Sequence, residues 1–378
     1  MEEKERQEEE KNSINNKVWS WGAGTEGQLG TTKLQDENHP QLIHYLSFTP
    51  KHISYLACGG AHVIALSRED GKVLSWGRGT SGQLGHGDMK NCLYPFPVKC
   101  LESFVVSYVS AGWNHSGFVS NTGRVLTCGD GTFGQLGHGD FQSQCLPIEV
   151  MYFRSRHVEQ ITCGMRHTLV LLKGNSGDAL YGFGSGKRGQ LGTSMDMITK
   201  SLNLPQVIFG FQQVNIARII ANGDQSAALT VDGHLYTWGK GFHGISDACL
   251  PLLPSSALKF TKVALGWNHA LLLTDCGTVF MLGGNHHGML SSPQKLRLKT
   301  CSSNQSTGCQ GSEDDCRLSI LEKVSGLDGI KAVDIAAGAE HSALVTGKTA
   351  LLTIIVLLQR KLIPSSELLF LLLQKMER

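Results

Sequence analysis

A glycine-rich segment recurs along the chain, and this repetition limits the fold more than any other feature of the sequence. The segment reads WGAGTEGQLG from residue 21, similar segments begin at residues 76, 128 and 183, and two weaker copies begin at 238 and 282. At intervals of 44 to 55 residues the second position of each copy is a glycine, namely Gly22, Gly77, Gly129, Gly184, Gly239 and Gly283. Such a period is typical of folds built by repetition of one small unit.

A second motif, Gly-x-x-His, alternates with the first. It places histidines at His62, His115, His167, His269 and His341, and the related segment NGDQS has Ser226 in the place of the histidine. An alternating apolar run, a tight turn such as VDG and a second run ending in the aromatic-Gly pair follow each copy. This pattern predicts strands joined by tight turns, with no helix between them.

Each unit therefore contains four short strands within about 50 to 55 residues. Units of this size and strand count are typical of the blades of a β-propeller. The last strand of several units contains a proline, at Pro40, Pro95 and Pro147. Because proline has no backbone N–H to donate, we expect this strand at the outer edge of the blade. The predicted fold class is all-β, a β-propeller of four-stranded blades.

Gly-x-x-His, the aromatic-Gly pair and the segment GQLGHGD at 82–88 and 134–140 together resemble the repeats of the regulator of chromosome condensation (RCC1-type repeat) family. The resemblance covers about residues 18–346 and implies a seven-bladed propeller, of which six repeats are recognisable. After AGAEHSALVT the family pattern stops. Either the strand around His341 pairs with VWSWG near residue 20 and closes a six-bladed ring, or the seventh blade is incomplete or has been replaced. The tail fits no blade pattern, which favours the second explanation.

Three segments lie outside the repeats. Residues 1–17 are highly charged and are predicted to be a disordered tail. Residues 291–319 are polar and are predicted to be an extended loop inserted between two blades. Residues 347–378 form an apolar tail that is off the repeat pattern, expected to be helical, and its apolar run is shorter than the roughly 20 residues of a membrane span.

The motifs that suggest catalysis or cofactor binding have a structural interpretation. The Gly-x-Gly-x-x-Gly spacing of the repeated segment matches a dinucleotide loop, but no helix follows it. GKT at 347–349 lacks the first glycine of a P-loop. Cys301, Cys309 and Cys316 have no histidine partner nearby, so no metal is expected. We predict no cofactor and no enzyme activity.

The repeat residues themselves are predicted to be structural. Each histidine is expected to hydrogen-bond within its own blade and to hold a turn. The predicted structural residues are Gly22, Gly77, Gly129, Gly184, Gly239, His62, His115, His167, His269 and His341. The two positions before each histidine vary from blade to blade, which suits either a partner surface or packing between blades. From them come the candidate partner-binding residues, Trp113, Asn114, Arg166, Trp267, Asn268 and Glu340.

The resemblance implies three functions. The first is a protein-interaction propeller that acts as a scaffold or regulatory adaptor, and the second is guanine-nucleotide exchange on a Ran-like small GTPase. The third is ultraviolet-B reception as in a plant cousin, whose GWRHT-type motifs cluster tryptophans with arginines. Here GWNH occurs twice, three blades apart, which argues against such a cluster.

The net charge of +2 predicts no direct nucleic-acid partner. Unpaired cysteines and the absence of a signal peptide predict the cytoplasm or nucleus.

Overall fold

The computed structural model describes residues 17–47, 53–67, 69–174, 177–193, 201–241, 248–252, 254–255, 258–283, 295–300, 318–339, 341–348, 351–357 and 368–373. Within these residues the chain forms seven antiparallel sheets, numbered 1 to 7 in chain order. One short helix, α1 (His44–Ser47), and two 3-10 turns, Lys99–Leu101 and Met151–Phe153, connect strands. The all-β prediction is therefore confirmed.

Four sheets have the predicted four strands. Sheet 2 contains β3 (Ile53–Cys58), β4 (His62–Ser67), β5 (Val73–Gly77) and β6 (Cys92–Pro97). Sheet 3 contains β7 (Val106–Ala111), β8 (His115–Ser120), β9 (Val125–Gly129) and β10 (Gln144–Glu149). Sheet 4 contains β11 (Val158–Cys163), β12 (His167–Leu172), β13 (Ala179–Ser185) and β14 (Ser201–Val207). Sheet 5 contains β15 (Ile216–Asn222), β16 (Gln225–Thr230), β17 (Leu235–Gly239) and β18 (Ala248–Leu252).

Each of these sheets runs from an inner strand at the centre of the molecule to an outer strand at its rim. Neighbouring inner strands contact one another in the order β3, β7, β11 and β15, which is the arrangement of blades around the central channel of a propeller. The second strand is buried along its length, as in β4 and β8. Pro95 and Pro147 lie on the edge strands β6 and β10, as predicted, where the missing N–H costs no ladder hydrogen bond.

Apolar side chains fill the space between neighbouring sheets and hold them side by side. Phe118 of sheet 3 belongs to the same core cluster as Ile64 of sheet 2, and Phe183 of sheet 4 belongs to the same core cluster as Val119 of sheet 3. Burial of one such side chain contributes roughly 1.5–3 kcal/mol. The alternation of apolar residues in each strand thus supplies both faces of the sheet with core residues.

Sheet 6 is larger than predicted. It contains β19 (Pro254–Ser255), β20 (Phe260–Leu265), β21 (His269–Thr274), β22 (Val279–Gly283), β23 (Lys295–Thr300) and β24 (Leu318–Lys323). The expectation that 291–319 is wholly an extended loop is wrong for 295–300 and 318–319, which lie in strands, and 295–299 pair with 318–322. The segment KLRLKT alternates apolar and charged residues, which suits a strand. Cys301, Cys309 and Cys316 lie outside the described residues, as do residues 1–16.

The C-terminal tail also forms strands. Sheet 1 contains β1 (Lys17–Gly22), β2 (Glu37–Leu42) and β28 (Leu368–Leu373), and sheet 7 contains β25 (Ala332–Ala337), β26 (Ser342–Lys348) and β27 (Leu351–Leu357). The expected helical tail is therefore wrong for 351–357 and 368–373. Runs of Leu, Ile and Val are compatible with strands, and an apolar run by itself does not distinguish a helix from a strand.

Closure by the strand after His341 is also wrong. That strand, β26, pairs with β25 and β27, whereas β1 pairs with β28, for example Trp19 with Leu371. The reason is that β26 already has a neighbour on each side, so its hydrogen-bonding edges are occupied.

Candidate functional site

The histidines of the Gly-x-x-His motifs connect neighbouring sheets. His62 Nε2 in sheet 2 lies 2.9 Å from Ser116 Oγ in sheet 3, and Ser116 Oγ donates to the backbone oxygen of Gln83 at 2.7 Å. Because the serine hydroxyl has one proton, it must accept from the imidazole. His62 is therefore protonated on Nε2, and its N–H donates across the sheet boundary.

The same arrangement recurs around the ring. His115 bonds to Thr168 at 3.0 Å, and His167 bonds to Ser226 at 2.9 Å. His269 lies 2.8 Å from Ser342 Oγ of sheet 7. The expectation that each histidine bonds within its own blade is wrong, because the second strand of the next sheet carries the nearest hydroxyl.

Ser226 does not stand in the place of a histidine. Gln225 pairs with Gly239, just as His167 pairs with Gly184, so Gln225 occupies that position in sheet 5. Ser226 is instead the hydroxyl that receives His167. The loop before Gln225 is one residue shorter than its counterparts. Counting from the glycine of the motif therefore points to Ser226, one residue beyond the true counterpart.

Burial keeps these histidines neutral. Burial, with a smaller contribution from the neighbouring His115, lowers the pKa of His62 and of His167 to about 3. Burial lowers the pKa of His115 to about 4. In each of the three rings Nδ1 has no hydrogen-bond partner, so the structure offers no acceptor for a second proton.

The glycine-rich segments close tightly against the sheets. The amide oxygen of Gln28 accepts the backbone N–H of Glu26, and Gln83 accepts that of Ser81 in the same way. Leu29 and its counterparts Leu84, Leu136 and Leu191 are buried. Gly77 has a φ of +99°, and a Cβ there would lie 2.5 Å from Ala61 O. The glycine-rich loop therefore packs against residues of its own chain.

The two tryptophans of the GWNH segments meet at the centre of one face. Trp113 follows β7 in sheet 3 and Trp267 follows β20 in sheet 6, and their ring centroids lie 5.3 Å apart. The expectation that they do not cluster is wrong. They come from sheets that are not neighbours, so they meet only because both loops lie at the end of the central channel.

Polar side chains flank this tryptophan pair. Arg78 donates to Asn114 Oδ1 at 2.7 Å, and its guanidinium carbon lies 5.9 Å from the Trp113 ring. Lys240 Nζ donates to Asn268 Oδ1 at 2.8 Å. The tryptophan mouth is this group, Arg78, Trp113, Asn114, Lys240, Trp267 and Asn268. Both tryptophans are half-buried, so each ring leaves an accessible part.

Two further partner candidates lie elsewhere. Arg166 is exposed on the same face, and its guanidinium carbon lies 4.8 Å from the Phe133 ring rather than at the tryptophan pair. Glu340 lies outside the described residues. The structure thus brings together four of the six candidates, Trp113, Asn114, Trp267 and Asn268.

A second polar group lies on the inner strands of sheets 2 to 7. The third residue of each of these strands belongs to it, and these residues are Tyr55, Tyr108, Gln160, Arg218, Lys262 and Asp334. Sequence reasoning missed this axial polar layer. Its signal is a polar or aromatic residue at one repeated position in strands whose other residues are largely apolar.

Among the described residues, no group of three or more His, Cys, Asp or Glu side chains could hold a metal ion. None of the helices in the described part of the chain is long and apolar enough to cross a membrane. The tryptophan mouth contains aromatic rings, amides and cations, which are groups suited to binding.

Sequence comparison places these features among known proteins. The RCC1-like domain family matches residues 17–354. The chain is 31% identical to the E3 ubiquitin-protein ligase HERC2 of Mus musculus over 342 residues, which cover 87% of this chain and 6% of the ligase. It is 33% identical to the ultraviolet-B receptor UVR8 of Arabidopsis thaliana, over 72% of this chain and 62% of the receptor.

A third relative matches over most of its own length. The secretion-regulating guanine nucleotide exchange factor of Bos taurus is 29% identical over 87% of this chain and 72% of that protein. Among solved structures, Prp20p of Saccharomyces cerevisiae, studied for its binding to Gsp1p and histones, superposes with a TM-score of 0.69. It is 22% identical and covers 88% of this chain and 79% of its own, which shows the shared fold.

Proposed function

Because this chain belongs to the RCC1-like domain family, we propose that it is a protein-interaction propeller that binds a protein partner at the tryptophan mouth. The observation that carries the proposal is the contact between Trp113 and Trp267, 5.3 Å apart and half-buried at the end of the channel. Tryptophan and arginine are the residues most enriched at the energetic centres of protein interfaces. The role is that of a scaffold or regulatory adaptor, without covalent catalysis.

The polar groups of the mouth support the same proposal. Arg78 and Lys240 are each fixed by an asparagine, one beside each tryptophan. Side chains held in place before binding lose less conformational entropy when a partner arrives. A protein surface with an aromatic or aliphatic side chain at its centre and hydrogen-bond acceptors around it fits this arrangement. The relatives that are ligases contain much additional sequence, so ligase activity is not part of the proposal.

Replacing both tryptophans by alanine is expected to abolish partner binding at this face. Proximity labelling with the full chain fused to a labelling enzyme measures this, with each labelled protein quantified by mass spectrometry. We expect the main labelled proteins to fall by at least about tenfold in W113A/W267A, as for loss of interface hot spots. Labelling that stays at the wild-type level in the folded variant contradicts the proposal.

A matched control lies on the opposite face. Val231 is 66% exposed in the turn between β16 and β17, at the other end of the sheet from the Gly-x-x-His-type loops. V231E changes an exposed apolar residue without touching the tryptophan mouth. Its labelling profile is expected to match the wild type, and the circular dichroism spectra of both variants report whether the sheets remain intact.

Guanine-nucleotide exchange is the second candidate, favoured by the match to most of the length of an exchange factor. In this role the tryptophan mouth contacts a Ran-like GTPase and lowers the affinity of that GTPase for its bound nucleotide. Release of fluorescent GDP from a panel of Ran-like and Rab-like GTPases tests it. Faster release that is lost in W113A/W267A supports exchange, whereas unchanged release from every GTPase leaves the interaction role alone.

Ultraviolet-B reception is the third candidate, favoured by the tryptophan contact and by the guanidinium of Arg78 beside Trp113. Asparagines stand at positions 114 and 268, where the receptor-type motif has arginine. Light scattering of the purified chain before and after ultraviolet-B irradiation distinguishes it. A constant molar mass contradicts reception. For all three roles we expect the protein in the cytoplasm or nucleus.

A further inference from the structure

Two copies of one side-chain arrangement meet at the tryptophan mouth. In the first copy, Arg78 of sheet 2 donates to Asn114 Oδ1 of sheet 3 at 2.7 Å. In the second, Lys240 of sheet 5 donates to Asn268 Oδ1 of sheet 6 at 2.8 Å. The tryptophan before each asparagine contacts the other tryptophan, with ring centroids 5.3 Å apart. The mouth therefore presents a cation beside each member of a central aromatic pair.

Among the described units, these cations occur only where the next sheet carries a tryptophan. Arg78 and Lys240 directly follow the aromatic-Gly pair, and the backbone N–H of each donates at 2.8 Å to the Gly-x-x-His-type loop of its own sheet. At the same position the other described units have Ala23, Asp130 and Ser185. Because the repeat accepts apolar, acidic and neutral residues there, the fold does not require a cation. The two positive charges are therefore a property of the tryptophan mouth.

No carboxylate forms an ion pair with Arg78 or Lys240 within the described part of the chain, where the ion pairs involve other cations. The carboxylates of the nearby Asp130 and Asp224 each accept a hydrogen bond instead, from a backbone N–H at 3.0 Å and from an amide side chain at 3.1 Å. The asparagines that contact the two cations are neutral, so they orient the positive charges without balancing them. Such a surface favours a partner that brings negative charge.

The tryptophan rings are closely packed against glycines of the preceding sheets. A Cβ on Gly60 would lie 2.8 Å from Trp113 Cδ2, and a Cβ on Gly223 would lie 3.3 Å from Trp267 Cδ1. The two rings also contact each other with a tilt of 45°. A nucleic-acid base needs an open aromatic face on which to stack, whereas an apolar side chain can pack along the edges of two rings. This packing favours a polypeptide as the partner.

We propose that the tryptophan mouth binds an acidic polypeptide segment. An apolar side chain of the segment contacts Trp113 and Trp267, and carboxylates on either side of it accept hydrogen bonds from Arg78 and Lys240. Such charge-assisted bonds are stronger than bonds between neutral groups. The inference rests on the proposed function, to which it adds the chemistry of the partner.

Selection from a phage library of random peptides of about twelve residues, with the full chain as bait, tests this chemistry. We expect the peptides bound by the wild type to contain Asp and Glu at least about twice as often as the starting library. The enrichment should disappear in W113A/W267A and persist in V231E, the control on the opposite face.

The outcomes of the selection separate this inference from the proposed function. Peptides that are basic or without charge preference, and that are lost in W113A/W267A, overturn the acidic chemistry but leave the mouth as the binding surface. A selection that enriches no sequence also overturns the inference, and the proximity-labelling experiment then decides the proposed function by itself.

The most enriched peptide, labelled with fluorescein, allows its affinity to be measured by fluorescence anisotropy. We expect a dissociation constant of about 10 µM, and a copy with Asn and Gln in place of Asp and Glu should bind at least about tenfold more weakly. Sodium chloride should weaken binding of the acidic peptide more than that of the neutral copy. Displacement of the acidic peptide by a single-stranded oligothymidylate at equal concentration assigns the mouth to nucleic acid and overturns the inference.

Two double variants test the role of the cations. R78Q/K240Q removes both charges and is expected to weaken binding of the acidic peptide at least about tenfold, whereas R78K/K240R keeps both charges and should stay within about threefold of the wild type. Wild-type affinity in R78Q/K240Q overturns the inference, and so does equal weakening in the two variants.

K240Q alone covers the case in which R78Q/K240Q does not fold. Lys240 follows the last residue of β17, and its side chain contacts Asn268 near the surface, so we expect an unchanged circular dichroism spectrum. The affinity for the acidic peptide should fall about threefold or more. Wild-type affinity in K240Q contradicts the assignment of Lys240 to the binding of a carboxylate.

Discussion

The protein is expected to lose most of its stability between pH 6.5 and pH 5. His62, His115 and His167 have folded-state pKa values of about 3, 4 and 3, below the unfolded value of 6.5. Between these values the unfolded chain binds protons that the folded chain does not, so stability falls as pH falls. Each group contributes about 1.4 kcal/mol per pH unit, and the three together lower the free energy of unfolding by about 6 kcal/mol at pH 5.

The loss is comparable to the whole stability of an ordinary domain, roughly 5–15 kcal/mol. Urea unfolding at pH 7.5, 6.5, 5.5 and 5.0, followed by circular dichroism, measures it. Above about pH 7.5 both states are almost entirely neutral at these positions, so the three histidines add almost no pH dependence there. A free energy of unfolding that stays constant from pH 6.5 to 5.0 contradicts the assignment of neutral buried imidazoles.

Sheet 5 suggests the control for this experiment. Gln225 occupies the histidine position there and has no proton to gain. H115Q is therefore expected to reduce the slope below pH 6.5 by about 1.4 kcal/mol per pH unit, one third of the total for the three groups. At pH 7.5 the variant loses the bond to Thr168, at a cost of about 1 kcal/mol. An unchanged slope in H115Q assigns the acid sensitivity to other groups.

Replacing Gly129 by alanine is expected to cost at least about 4 kcal/mol of stability, among the largest effects of a single methyl group. Gly129 has a φ of +108°, and a Cβ there would lie 2.4 Å from Asn114 O. Neighbouring backbone must move to relieve the overlap, because Gly129 pairs with His115 within sheet 3. The variant then loses strand pairing in sheet 3, and its alanine also has a positive φ that L residues rarely adopt.

Gly139 separates the two causes. Its φ of +92° is similar, but a Cβ there would meet Leu204 Cδ2 only at 3.5 Å, an ordinary contact. G139A should therefore cost only the positive φ, about 1–2 kcal/mol. Chemical denaturation of both variants at pH 7.5 compares them. If G129A is no less stable than G139A, the close approach of strands at Gly129 is not required for the fold.

The fold could be predicted from sequence because each unit contains its own local signals. Alternating apolar residues, a tight turn and a glycine-rich segment define four strands without reference to the other units. The C-terminal strands β27 and β28 could not be predicted in the same way. Leu-rich segments are equally compatible with a helix, and only an unpaired neighbouring strand selects the extended form.

The candidate site was predicted only in part. The variable positions before the histidines drew attention to Trp113 and Trp267, but their separation in sequence gave no sign that they touch. Because the loop before Gln225 is shorter, the sequence pattern pointed to Ser226 and not to Gln225 as the counterpart of the histidines. The sequence did not predict the axial polar layer, which includes Arg218, Tyr55 and Tyr108. Each of these residues lies in a different unit, within a strand that is otherwise largely apolar.

The sequence by itself determined the repeat, the four-strand unit and the positions of the turns, because these depend on residues close together in the chain. Only the tertiary structure decided which side chains meet at the axis. A ring of sheets brings equivalent positions of distant units into contact with one another, as with Trp113 and Trp267. These contacts depend on closure around the channel, which no single repeat encodes.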